Sequence, residues 1–116
     1  MTPEEVAATP SVVRWFESAR LDSDPDEEKQ LRYGLLAAFC DHTGQSPDEL
    51  VAGLLRTTKA GESAISAKRR KIMDASIEEF VEKSGFTGRD AVVNGNIIRS
   101  FLVHNGIFIQ GRAWRG

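Results

Sequence analysis

One cysteine, one tyrosine and two histidines stand among the 116 residues of this chain. A single thiol, Cys40, cannot close an internal disulfide and suits a reducing compartment. His42 and His104 lie on or beside helix stripes, and the acid run Asp22-Ser23-Asp24-Pro25-Asp26-Glu27-Glu28 lacks the ligand spacing of a calcium loop, so neither a metal nor another cofactor is expected. No apolar run approaches the ~18 residues of a membrane-spanning helix. The opening residues Met1-Thr2-Pro3-Glu4-Glu5 are acidic, where a signal peptide is basic and then apolar. There is no glycine-rich phosphate loop, internal repeat or low-complexity tract. Cys40 has no basic neighbour in sequence that would make it a nucleophile. These absences lead to the expectation of a non-catalytic, cytoplasmic domain with no membrane contact.

A hydrophobic share of 41% and a charged share of 28% suffice for one ordinary core in a chain this short. The net charge of −2 conceals a division. Residues 1–55 hold 4 Lys+Arg against 11 Asp+Glu, and residues 56–116 hold 11 against 6, so the halves carry −7 and +5. Clustered cations of this kind are what a phosphate backbone rewards.

Periodicity predicts helices throughout. Asn105-Gly106 is a helix stop, and Ala91, Gly95, Ile98 and Leu102 recur at i, i+4, i+7 and i+11 before it. Thr87 is the matching cap. Ser46-Pro47-Asp48-Glu49 reads as a capping box, Asp24-Pro25 as a cap and first turn, and Gly44 and Gly85 as stops. Helices are expected near 10–20, 25–43, 47–57, 63–84 and 87–104, with a short helix or frayed end at Thr2-Pro3. The helix at 25–43 should turn Leu31, Leu35, Ala38, Phe39 and His42 inward, and the one at 63–84 Ile65, Ile72, Met73, Ile77 (or Ser76), Phe80 and Val81. The expected core is Phe16, Leu35, Phe39, Leu54, Ile77, Phe80, Ile98 and Leu102. No segment long enough to found a sheet alternates with period two.

Two stretches resemble a known family. Ile98-Arg99-Ser100-Phe101-Leu102, followed by Val103-His104-Asn105-Gly106-Ile107, is similar to the closing helix of the core-binding domain of tyrosine recombinases, the phage-integrase family. Phe39-Cys40-Asp41-His42-Thr43-Gly44-Gln45-Ser46-Pro47-Asp48-Glu49-Leu50 resembles the helix, glycine stop and helix restart of its archaeal and bacterial members. The resemblance implies an all-α, SAM-like orthogonal bundle of four to five helices over 1–106. Residues 107–116 would then be an extended linker toward an absent catalytic domain, stapled back by Ile107 or Phe108. It also implies double-stranded DNA as partner, clamped at a recombination half-site. The chain would be a monomer alone and an oligomer on DNA within the whole protein. Strand breakage through a phosphotyrosine would belong to the missing domain; Tyr33, placed before Leu35 and Phe39 on a helix, is not that nucleophile.

Lys68-Arg69-Arg70-Lys71 is the densest basic cluster and the first candidate for phosphate contact, with Lys68 and Arg70 expected to point to water. Thr87, Arg89 and Asn94, at the start of the last helix, are the candidates for contact at a groove. Asp90 stands where the family has a hydroxyl residue, and Lys29 and Arg32 are the only cations of the second helix. If about four cations reach phosphate, log affinity should fall with log salt at a slope near −3.6. Two other readings fit the same pattern: a helical protein-interaction module with a solvated basic cluster, and a small helix-turn-helix regulator that would dimerise on a palindrome.

Overall fold

Short polar caps set the helix starts in the computed structural model, which describes residues 1–57 and 63–112. In order along the chain stand α1 (Pro3–Ala7), α2 (Pro10–Ser18), α3 (Asp26–Thr43), α4 (Pro47–Ala52), β1 (Leu55–Thr57), β2 (Ser63–Ile65), α5 (Ala67–Lys83) and α6 (Gly88–Val103). The fold is a small all-α bundle with one added hairpin, and it has six helices among the described residues where four or five were expected. None of them is long and apolar enough to cross a membrane.

Thr2 and Glu5 form a reciprocal capping box at α1, with N···O distances of 3.0 and 3.1 Å. Ser46 and Glu49 repeat it at α4, at 3.0 and 3.2 Å. In both boxes the carboxyl is held below its ordinary range, first by the backbone amide it accepts from and then by the cap hydroxyl. Gly44 ends α3 at φ 74°, a left-handed position that costs glycine nothing. The start of α3 differs from expectation. Pro25 is the cap residue, and the Asp24 carboxylate instead accepts from Arg32 at 3.2 Å.

α3 is rotated from the expected orientation. Leu36, Ala37, Phe39 and Cys40 are buried, while Leu35 is only half-buried, Ala38 is exposed and Leu31 is 69% exposed. α3 carries apolar residues on two faces, so its own pattern does not choose between them. Docking of α1 does: it lies along α3, with Val6 fully buried and the Met1 ammonium 2.6 Å from Asp41. α2 packs against α4 and α6 and reaches α3 through Phe16, which buries both Trp15 and Phe16. Phe16 stacks on Tyr33 at 4.7 Å; Trp15 meets Phe101 edge-on at 5.6 Å and donates to Ser100 Oγ at 3.2 Å.

The hairpin is a second correction. The sequence pattern places 55–57 in a helix and 63–65 at the start of the next, yet they pair antiparallel as Leu55↔Ile65, Arg56↔Ala64 and Thr57↔Ser63. Three residues per strand are too few to show a period of two. Helix α5 therefore begins at Ala67, capped by Ser66 Oγ, which accepts from Arg69 N at 3.3 Å. Ile65 consequently leaves the α5 face for β2, and Ile72 is 57% exposed. Residues 58–62 and 113–116, in the expected loop and the linker's end, lie outside the described residues.

α5 and α6 form an antiparallel pair, with Phe80 of α5 against Phe39 at 5.3 Å and Ile77, Ile98, Phe101 and Leu102 buried beneath. After Gly106, at φ 85°, the chain is extended and lies back on the bundle: Ile107 is fully buried, Ile109 nearly so, and Phe108 is 70% exposed. Of the two residues named for the staple, Ile107 is the one that is buried.

Candidate nucleic-acid interface

Four cations on consecutive helical positions point in four directions, about 100° apart. In α5 this divides the cluster into two pairs. Lys68 and Lys71 are exposed on the outer side and make no ion pair with the described residues. Arg69 is exposed but donates through Nη1 to the carbonyls of Gly53 (3.2 Å) and Leu55 (3.4 Å), which ties α5 to the base of the hairpin. Arg70 is half-buried and donates to Phe108 O at 3.1 Å, so it holds the C-terminal strap instead of pointing to water as expected. The outer stripe of α5 then turns acidic at Glu79 and Glu82. Glu79 is paired with Lys83 at 2.9 Å; that hydrogen bond lowers the carboxyl and raises the ammonium.

The start of α6 lies at the far end of this helix pair. From Lys71 to Lys83 the α5 axis rises ~18 Å, so the structure does not gather the basic cluster and the α6 residues into one spot. Thr87 occupies the cap position, exposed, without a side-chain bond to the α6 amides. Arg89 is exposed and unpaired among the described residues. Asn94 is half-buried and donates to Asp90 O at 2.8 Å, within its own helix. Its remaining surface faces a groove of about 580 Å³ lined by α3, the end of α5 and α6.

A cluster unforeseen from sequence lies between α5 and α6. Arg99, in the last turns of α6, is only 3% exposed. It donates to Asp74 (2.9 Å), Glu78 (2.7 Å) and the Asn96 amide oxygen (3.1 Å). Asn96 also grips the strap in both directions: its Nδ2 donates to Arg112 O and its Oδ1 accepts from Arg112 N, each at 2.8 Å. Arg112 adds a 3.2 Å bond to Glu78. An arginine inside an apolar run, opposite acids at i and i+4 of the preceding helix, was the signal that could have found this cluster.

The thiol, phenol and imidazoles are tied into the packing. Burial, reinforced by Asp41, pushes the Cys40 thiol up to about 12, so it stays protonated at neutral pH. Burial also raises the Tyr33 phenol, with Asp22 and Asp26 adding to the effect. The His42 ring packs on Phe39 and Phe80, and His104 Nδ1 lies 2.7 Å from Ser18 Oγ. No group of three potential metal ligands occurs among the described residues. No protein-family model, curated protein or solved structure matches the chain.

Proposed function

We propose that this chain is a duplex-DNA-binding helical domain of the core-binding type of tyrosine recombinases, with strand chemistry left to a separate domain. The observation that carries the reading is the start of α5. Its first turns hold Lys68, Arg69, Arg70 and Lys71 and no acid, whereas α1, α3 and α4 all open on acids. Cations at a helix N-terminus oppose the macrodipole and cost a few tenths of a kcal/mol or more each. A phosphate there gains from the lysines and the helix end together. Both stretches of family resemblance also support the reading, since they serve as joints of the bundle: Gly44 with the Ser46 box, and Gly106 with buried Ile107.

Among the described residues two of the four cations of the α5 cluster, Lys68 and Lys71, are unpaired, so about two phosphates are engaged there. The salt slope is then about −1.8, roughly a twelvefold loss of affinity over a fourfold rise in salt. Titration of the protein against a duplex of several helical turns, at two salt concentrations, tests this. No binding at either concentration sinks the proposal.

A second reading, a protein-interaction module, is favoured by the groove beside Asn94, where Leu31 and Val93 of the two walls are exposed.

A further inference from the structure

The helices α3 and α6 run antiparallel along this groove. Phe80, in the last turn of α5, which leads into the start of α6, touches Phe39 in the second half of α3. Phe101, late in α6, meets Trp15, whose neighbour Phe16 stacks on Tyr33 in the first half of α3. The walls carry Leu31, Leu35 and Ala38 from α3 and Val93 and Ile97 from α6, with Phe86 at the end. Leu31 is 69% and Val93 44% exposed, so this is apolar surface left open to water. From Leu31 to Ala38 the wall is ~10 Å long, about two turns of a helix.

An exposed acid continues each wall of the groove. Glu27, Leu31, Gly34 and Ala38 fall at i, i+4, i+7 and i+11, so Glu27 continues the α3 wall at one end. Asp90, Val93, Asn94 and Ile97 fall at i, i+3, i+4 and i+7, so Asp90 continues the α6 wall at the other. Both acids are exposed, and neither forms an ion pair with the described residues. Arg89 and Lys29 are about 100° and 200° around their helices from these acids and lie off both walls.

We propose that this groove receives an amphipathic helix of a partner protein, with an apolar face of i, i+4, i+7 spacing and cations at both ends. Helix-in-groove recognition supplies the apolar anchors, and the end charges select the partner. A second copy of this surface fits poorly: parallel or antiparallel, a two-fold pairing sets acid against acid. Phosphate is repelled by the same two acids. The inference is independent of the DNA reading, whose lysines lie at the opposite end of α5.

The test uses fluorescent synthetic helices of about 15 residues, with leucines at i, i+4 and i+7 and either lysines or glutamates at both ends. Anisotropy titration should show the lysine-ended peptide binding at least about tenfold tighter than the glutamate-ended one. Leu31→Asp should lower that affinity at least about tenfold, and Glu27→Lys with Asp90→Lys should reverse the preference between peptides. Helical content is checked by circular dichroism, and Val93→Asp replaces Leu31→Asp if that variant misfolds. Equal affinity for the two peptides, binding of neither, or indifference to both wall substitutions overturns the proposal. Self-association abolished by Leu31→Asp, with no peptide bound, also overturns it.

Discussion

The Arg99 Nη1 atom lies 3.0 Å from the place where a Cβ on Gly95 would stand. Glycine inside a helix costs about 1 kcal/mol relative to alanine, and here it makes room for a buried guanidinium. Three partners, Asp74, Glu78 and Asn96, fix that guanidinium in place. Gly95→Ala therefore sets a helix gain of about 1 kcal/mol against an overpacking cost of roughly 1–3 kcal/mol. The expected result is a net loss of about 1 kcal/mol in urea unfolding. A variant as stable as the parent would show that the guanidinium yields freely.

Asn96 should control the strap. It makes two bonds to the backbone of Arg112, while the neighbouring anchors Ile107 and Ile109 act through burial. Asn96→Ala removes the bonds and leaves the anchors. Amide exchange at Arg112 should rise at least about fivefold, as expected for loss of a local protecting contact worth about 1 kcal/mol or more. Ile107→Ala, which empties a fully buried site, should instead cost about 2–5 kcal/mol of global stability. Unchanged exchange at Arg112 in Asn96→Ala would mean that burial, with Arg70 at Phe108 O and Glu78 at Arg112, holds the strap without Asn96.

What the sequence made legible follows from the range of each signal. Capping boxes, glycine stops and the Ile98–Leu102 stripe act within a turn or two, and the residues that specify them sit side by side. The face of α3 was not legible, because Leu31 and Leu35 are as apolar as Leu36 and Cys40 and the choice belongs to α1. The fates of Arg69 and Arg70 depend on carbonyls at Gly53, Leu55 and Phe108, which no local pattern names. Arg99 stands inside an apolar run, which hints at burial, but its carboxylate partners stand 21 and 25 residues away, beyond the reach of a local pattern.

Cys40 should be inert in the folded chain. It is 2% exposed, and its thiol is pushed up to about 12. Thiol reagents at neutral pH should modify it only through opening, and the rate should rise steeply at the urea midpoint. Rapid modification without denaturant would contradict the burial.

Acid should weaken the domain partly through Glu49. Its folded carboxyl lies below the ordinary value of 4.5, because the carboxylate form accepts from the Ser46 amide. The lowered value means that this contribution is full above pH 4.5 and is lost as the pH falls through the folded value. Glu49→Gln keeps an acceptor but has no proton to gain. Its stability curve should therefore fall less steeply on the acid side, as read by denaturant unfolding at several pH values. Parallel curves for parent and variant would remove Glu49 from the acid response.

Arg70 and Lys71 are neighbours in sequence with separable roles, and exchanging each for glutamine tells them apart. Lys71 is exposed and unpaired among the described residues, so on the DNA reading it is a phosphate contact. Lys71→Gln should make the salt slope shallower by about 0.9, one phosphate's worth, and leave exchange at Phe108 to Arg112 unchanged. Arg70 is half-buried and spends a donor on Phe108 O. Arg70→Gln should speed exchange along the strap and barely change the slope, because a guanidinium that bonds a carbonyl is not released to phosphate without loosening the strap. Equal slope changes in the two variants would show that Arg70 abandons Phe108 when DNA binds. A slope indifferent to both would leave the lysine end of α5 as a solvated surface and remove the main support for the DNA reading.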